Sequence, residues 1–438
     1  MTTSRWFLVG IVLVPVTAVQ AGDEPIALQE KFTAGYQYRV NCRFSGTGKL
    51  PVPPEKGRPA GQILELSGKS MLEYDERILD VDASGDVRKT LRVFRQVEFQ
   101  KTLGKDDFRM SIRPAVRRMV LLRERNMQAP FSPDGPLSLA EIEIVRTDVF
   151  APALAGLLPA NPVKPGDTWK ASETAVTTLT HFEKIDAGAI ECRFDEVTTQ
   201  LGRRVARISV TGGVRGVNED GTVRDEFDGY YFFDLQSHHL TYLTLKGAHL
   251  FLDKDFQESG RQSGTFTLSR QIDVQPPEFA PDALRATNLE ANDDNTLLLY
   301  DNPDVGVRFE YPRAWKVAGV EGRQVTIDGP NGNGLLLTPL LLKDVPTPAQ
   351  YLAEARTFIE QQRGKLYGMQ PARDLRAEPY LARFALEAEM GGQRLLLDYY
   401  ILKQRDAGAT LMARMLPDAV KDLRPGIERI AKSVVVTK

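Results

Sequence analysis

Between residues 27 and 274 apolar side chains alternate with charged or polar ones over long stretches, and a period of two marks strands with one buried face. Residues 62–81, 86–102, 108–123, 142–145, 187–197, 204–210 and 222–252 carry this pattern and are rich in Val, Ile, Leu, Phe and Tyr. Asp82-Ala-Ser-Gly85, Gly104-Lys-Asp106 and Asn218-Glu-Asp-Gly221 supply hairpin turns between them. The pattern predicts a large, curved antiparallel sheet, half-buried, either open or closed into a barrel.

One helical interruption is expected at residues 148–158, where Val149, Leu154, Leu157 and Leu158 share a face before Pro159, Pro162 and Pro165 end it. The run Leu157-Leu-Pro159 followed by Pro162-Val-Lys-Pro-Gly-Asp-Thr-Trp169 resembles a segment of uncharacterised exported bacterial β-rich proteins. That resemblance implies export and a β-rich fold, and no activity.

The text changes at residues 276–299, where Pro276-Pro-Glu-Phe-Ala-Pro281 and Asn288-Leu-Glu-Ala-Asn-Asp-Asp-Asn-Thr296 read as a linker with a short helical turn near Asp282. The expected organisation is a β-rich domain over 22–275, a linker over 276–299 and a smaller domain over 300–438. In the last region, strands at 305–315, 325–327 and 335–342 precede an amphipathic helix at 347–365, capped by Thr347 with Pro348 in its first turn. Strands at 382–390, 394–403 and 410–415 and a closing helix at 418–433 complete an α/β sandwich, so the whole chain is α+β. Phe309-Glu-Tyr-Pro-Arg-Ala-Trp315, the helix from Thr347, Asp398-Tyr-Tyr400 and Ile430-Ala-Lys-Ser-Val434 together resemble PsbP-like and DcrB-like domains. The resemblance implies a sandwich fold in an accessory or binding role, and brings no catalytic residues.

The chain has 438 residues, 42% hydrophobic and 26% charged, enough for two or three cores. Its 56 Lys and Arg against 58 Asp and Glu leave a net charge of −2, so no global field draws it to nucleic acid or anionic lipid. At the N-terminus Arg5, an apolar run from Trp6 to Val19 broken by Pro15, and Val19-Gln-Ala21 form a secretory leader with cleavage expected after Ala21. That run is about 14 residues, short of the roughly 20 a spanning helix needs. A mature chain without a membrane span, located in the periplasm or outside the cell, is expected.

Candidate chemistry is sparse. Cys42 and Cys192 each lie on the apolar face of an alternating segment, beside Val40 and Phe44 in one case and Ile190 and Phe194 in the other. A disulfide and two buried free thiols both fit that placement. Gly68-Lys-Ser70 lacks a phosphate loop's upstream glycine, since position 63 is Ile63. Ser263 in Gly260-Arg-Gln-Ser-Gly264 sits one position late for a nucleophile elbow, with His181, His238, His239 and His249 as the available bases. Asp225, Glu226, Asp228 and Asp234 are split between faces by strand alternation, and Asn292-Asp-Asp-Asn295 lacks a calcium loop's glycine and terminal Glu. Arg113, Arg117, Arg118, Arg123 and Arg125 form the one basic stretch offered to an anionic partner. No metal or cofactor is expected. The expected function is binding, of an apolar ligand in the sheet's concavity or of an envelope protein, with a hydrolase built from Asp225, Asp228 and His238 as the alternative.

Overall fold

The structure is a computed structural model that describes residues 24–51, 63–124, 127–219 and 221–437. The expected leader and Arg125 lie outside the described residues.

The N-terminal half is strand-dominated: β1 (Gln37–Pro51), β2 (Ile63–Val81), β3 (Val87–Leu103), β4 (Asp106–Met110), β5 (Arg118–Glu124), β6 (Met127–Phe131) and β7 (Leu137–Ser138). A helical insert follows, built from α1 (Leu139–Arg146), a 3-10 segment (Ala151–Leu157) and α2 (Glu173–Thr180), with β8 (Thr168–Lys170) between the last two. Five long strands complete this half: β9 (Lys184–Gln200), β10 (Arg203–Asn218), β11 (Gly221–Asp234), β12 (His239–Leu252) and β13 (Glu258–Ile272). They form one antiparallel sheet in the order β6-β5-β3-β2-β1-β13-β12-β11-β10-β9-β8, with β4 on the edge of β3. Among the described residues the outermost strands do not pair, so the sheet is open and not a barrel.

The expected alternation holds in β1, where Tyr38, Val40 and Cys42 are buried, and in β9, where Ile190, Cys192 and Phe194 are buried. These faces line a concavity that the helical insert partly fills. Ile144, Val149, Phe150, Leu154 and Val176 of the insert join the same core as Val40, Leu72, Ile208, Tyr231 and Leu268 of the sheet. The Tyr231 hydroxyl and the Trp169 indole both donate to the Leu157 carbonyl, at 2.9 and 2.8 Å. The strand expected at 142–145 is α1 instead. Ser138 and Glu141 form a capping box at its start, and Ile142, Ile144 and Val145 are buried against neighbours that their β-propensity could not foresee.

The C-terminal half contributes β14 (Leu298–Asn302), β15 (Val307–Tyr311), β16 (Lys316–Glu321), β17 (Gln324–Asp328), β18 (Gly334–Leu341), α4 (Pro348–Gln361), β19 (Lys365–Arg376), β20 (Tyr380–Met390), β21 (Gln393–Lys403), β22 (Ala407–Met415), α5 (Val420–Ser433) and β23 (Val435–Val436). A short helix, α3 (Pro281–Arg285), precedes them, as the turn near Asp282 anticipated. Seven strands pair in the order β16-β17-β18-β22-β21-β20-β19. Helix α4 packs Ala355 and Ile359 with Phe384, Leu386 and Tyr399, and α5 packs Ile427, Ile430 and Ala431 with Tyr400, Leu402 and Leu411, so both helices cover sheet surface. Thr347 caps α4 as expected, its hydroxyl accepting from Gln350 N, with Pro348 at the first helical position.

The segment 276–299 is tied down along its length. Phe279 is buried with Leu91, Val93, Val120 and Phe131, Arg95 clasps Glu278 at 2.7 and 2.9 Å, and Lys89 reaches Glu290 at 2.6 Å. A four-stranded sheet in the order β23-β15-β14-β7 then joins the halves, with Leu298 beside Leu137 in a parallel pair. The polar composition that reads as a surface linker supplies the ion pairs that dock the segment against the sheet.

His239, 2% exposed at the start of β12, gives an acid-sensitive element. Burial, aided by the charge of Arg270 and opposed by Asp234, lowers its pKa to about 4. The unfolded chain therefore takes up a proton near pH 6.5 that the folded chain refuses until about pH 4, so stability from this group falls as pH drops through that window and is constant below it. Urea midpoints for the wild type and His239→Gln between pH 4 and 7.5 are expected to show a shallower acid loss in the variant, the difference reaching up to about 3 kcal/mol.

Candidate functional site

Where the insert stops covering the sheet, a cavity of about 500 Å³ remains, within the size range of small-molecule sites. Its walls are Phe44 (β1), Leu66 and Leu72 (β2), Phe99 (β3), Phe227 (β11), Leu245 and Phe251 (β12) and Phe266 (β13). Ile144, Val149 and Leu179 of the insert close one side.

Register explains the space. Gly68, Gly46, Gly264 and Gly247 are consecutive partners across β2, β1, β13 and β12, so one row of four neighbouring strands carries no side chain. The Phe44 ring lies over that row: a Cβ on Gly46 would come within 2.6 Å of Phe44 Cζ, and one on Gly264 within 2.7 Å of Phe44 Cε2. Glycine inside a strand otherwise weakens it, and its use here marks close approach. The glycines are visible in the sequence of β2, β1, β13 and β12, but only the strand order shows that these four align.

Polar groups gather at two places. Asp225 on β11 and His249 on β12 are cross-strand partners, with Oδ1 and Nδ1 2.6 Å apart, and His249 stands edge-on to Phe251 at 4.8 Å. His181, in a left-handed conformation at the end of α2, faces the same cavity. Desolvation by the surrounding protein lowers its pKa, against the pull of Asp225, although the residue itself is exposed. Lys69, Ser70 and Lys101 mark another part of the lining.

At the inner end, Asp148 borders a buried charge network. Arg92 donates to Glu76 at 2.7 Å and to Asp148 at 2.8 Å, the Tyr38 hydroxyl donates to Glu76 at 2.6 Å, and the guanidinium lies 4.3 Å from the Tyr74 ring centre. Burial raises the pKa of Asp148, with Arg92 opposing it. The network ties the insert to β2 and β3.

The structure disperses most of the residues singled out in the sequence. Asp225 faces the cavity while Asp228 is exposed on the opposite face of β11, and His238 stands in the turn before β12, so the three residues of the hydrolase alternative are not brought together. Ser263, exposed on β13, pairs with Ala248 and lies one residue off the row of His249, on the other face. Asp234 serves its turn, accepting from Gln236 N and Ser237 N at 2.8 and 3.0 Å. Asn292 and Asn295 bond each other's backbone in a turn. Among the described residues, no group of three or more His, Cys, Asp or Glu is arranged to hold a metal ion.

The expected basic patch is not assembled either. Arg113 is taken by Glu141 and the Pro136 carbonyl, Arg118 by Asp134 and Thr287, and Arg123 lies 4.4 Å from the Phe150 ring centre, while Arg117 remains exposed. A 3-10 turn at Pro114–Val116 interrupts the strand, so neighbours in sequence reach different partners.

Cys42 and Cys192 share the core but are free thiols, and the disulfide alternative is not formed. Four strands separate β1 from β9 in the sheet, five steps of about 4.8 Å along its surface. Burial pushes the Cys42 thiol well up, with Asp148 adding to the effect, and raises that of Cys192 to about 12. Thiol reagents are expected to find neither cysteine in the native protein and both in denatured protein never exposed to reductant; a titre of zero after denaturation would restore the bridge.

No family model matches the chain, and no match is found among curated protein sequences. Among solved structures, the chain is similar to the cyanobacterial PsbP (CyanoP) of Synechocystis sp., with 16% identity over 32% of this chain and 92% of that one and a TM-score of 0.27. A lipovitellin structure titled for its lipid–protein interactions is 11% identical over 56% of this chain but only 26% of its own, with a TM-score of 0.30. A Pseudomonas aeruginosa protein of unknown function, PA94, described as a putative regulator, is 17% identical over 32% of this chain and 98% of that one, with a TM-score of 0.21. No helix among the described residues is long and apolar enough to cross a membrane.

Proposed function

We propose that this protein is an exported, non-enzymatic binding protein that carries a single elongated apolar ligand, an acyl chain, in the concavity of its large sheet. The observation that carries the reading is the side-chain-free row Gly68-Gly46-Gly264-Gly247 beneath a wall of phenylalanines, a cavity of about 500 Å³ that the fold leaves open at the expense of strand stability. An acyl chain fits because the walls are phenyl and aliphatic, while the Asp225–His249 pair and Lys69 give a polar end group somewhere to rest. The C-terminal sandwich serves as the accessory module, and the leader ending at Ala21 takes the chain to the periplasm or beyond.

Organic extraction of the purified full-length protein, followed by mass spectrometry, is expected to release an acyl lipid near one per chain. Extracted protein is expected to take up cis-parinaric acid saturably. Absence of both an extractable lipid and saturable uptake rejects the reading. N-terminal sequencing of material from outside the cytoplasm is expected to begin at Gly22; intact Met1 in exported material removes the cleavage.

A further inference from the structure

A second hollow, of about 580 Å³, lies in the C-terminal half between α5 and the strands β19 and β20. The sheet contributes Arg373 and Arg383, and the helix contributes Lys421, Arg424, Arg429 and Lys432; one carboxylate, Glu428, shares the lining. In a chain of net charge −2 this is a local excess of positive charge.

The charges are incompletely neutralised. Arg373 and Arg383 are directly opposite each other on adjacent strands, an arrangement that disfavours folding for like charges unless something offsets it. The nearest carboxylate, the buried Asp398, gives both oxygens to Arg424, at 2.8 and 3.0 Å. Arg383 is left 3.8 Å from Asp398 and otherwise donates to the neutral Gln370 at 3.2 Å. Its side chain is 6% exposed, so water replaces little of what is missing. Arg429 turns to Asp294 and Lys432 to Glu428, whereas Arg373 and Lys421 have no ion-pair partner among the described residues.

We propose that this hollow is a binding site for a phosphoryl group, with Arg383 as the buried anchor and Arg373 and Lys421 closing on the anion from the sheet and the helix. A tetrahedral dianion answers the geometry, because planar guanidinium donors pair with two oxygens at once while an ammonium supplies point charge. The group arrives either on a free phosphate ester or on a phospholipid headgroup. This site stands on residues separate from the acyl-chain cavity, and its failure leaves that reading untouched.

The test uses the full chain in chloride buffer at low ionic strength. Inorganic phosphate and pyrophosphate are titrated calorimetrically, and vesicles of phosphatidylglycerol or phosphatidylcholine are tested by co-sedimentation. The double variant Arg373→Gln with Lys421→Gln removes exposed, unpaired charges and leaves the Asp398 cluster intact. Lys343→Gln with Arg356→Gln makes the same change of net charge elsewhere on this half. Saturable binding that weakens at least about tenfold in the first double variant, and not in the second, supports the site. Binding of the soluble anions names a free phosphate ester as the source, and binding confined to phosphatidylglycerol vesicles names the headgroup. No saturable binding in either arm, or equal binding by both double variants, overturns the proposal.

Discussion

Replacing Gly68 by phenylalanine is expected to weaken cis-parinaric acid binding by about a hundredfold, equivalent to about 2.8 kcal/mol, while leaving the melting temperature close to that of the wild type. The four glycines of the row differ in what surrounds them. A Cβ on Gly68 meets nothing nearer than the Gln100 carbonyl at 3.8 Å and Phe44 Cε1 at 3.9 Å, so a side chain there enters the cavity without moving the backbone. A Cβ on Gly264 would lie 2.7 Å from the Phe44 ring and 2.8 Å from the Ser45 carbonyl. Gly264→Ala is therefore expected to lower stability by about 1–3 kcal/mol through overpacking. The two variants separate occupancy from folding. Undiminished binding by a stable Gly68→Phe protein would place the ligand elsewhere.

Arg92→Met is expected to destabilise the fold by about 3–5 kcal/mol, read as a lower urea midpoint. Arg92, Glu76 and Asp148 are 0, 0 and 5% exposed, so removing the cation strands two carboxylates away from water. Methionine preserves most of the packing against Tyr74, so the loss reports charge more than volume. Adding Glu76→Gln and Asp148→Asn is expected to restore part of it, because a buried amide is far cheaper than a buried unpaired charge. Because Asp148 belongs to the insert and Arg92 to β3, Arg92→Met is also expected to loosen the cavity's inner wall, seen as faster hydrogen exchange in α1. A loss below about 1 kcal/mol would mean that the network is not held as described.

Much of the architecture is legible along the chain because its causes are local. Alternation in β1, β2, β9 and β10 needs only a two-residue period and one buried face, and hairpin turns such as Asp82–Gly85 need only residues suited to them, with Gly85 at positive φ. Thr347 and Pro348 announce α4 for the same reason. The strand expected at 142–145 rests on the β-branched run Ile142-Glu-Ile-Val145, and the capping box of Ser138 and Glu141 together with burial against the sheet makes this segment α1 instead. In α2 the run Thr174-Ala-Val-Thr-Thr178 carries weak helix propensity, which packing overrides once Ala175 and Val176 enter the core.

The site was not legible, because its parts are adjacent only across strands. The alignment of Gly46, Gly68, Gly247 and Gly264 depends on the order β2-β1-β13-β12 and its register, which bring β1 beside β13 across more than 200 positions of chain. Asp225 meets His249 and Arg373 meets Arg383 for the same reason. Conversely, Arg113, Arg118 and Arg123 are close in sequence and have separate partners, since an ion pair forms with whichever carboxylate the fold brings near. The sequence by itself determined the alternation of most of the long strands and the capped helix α4. Tertiary structure alone decided that the large sheet stays open, that residues 276–299 dock as a strap, and that four glycines become one groove, because each depends on contacts between distant segments that no local period encodes.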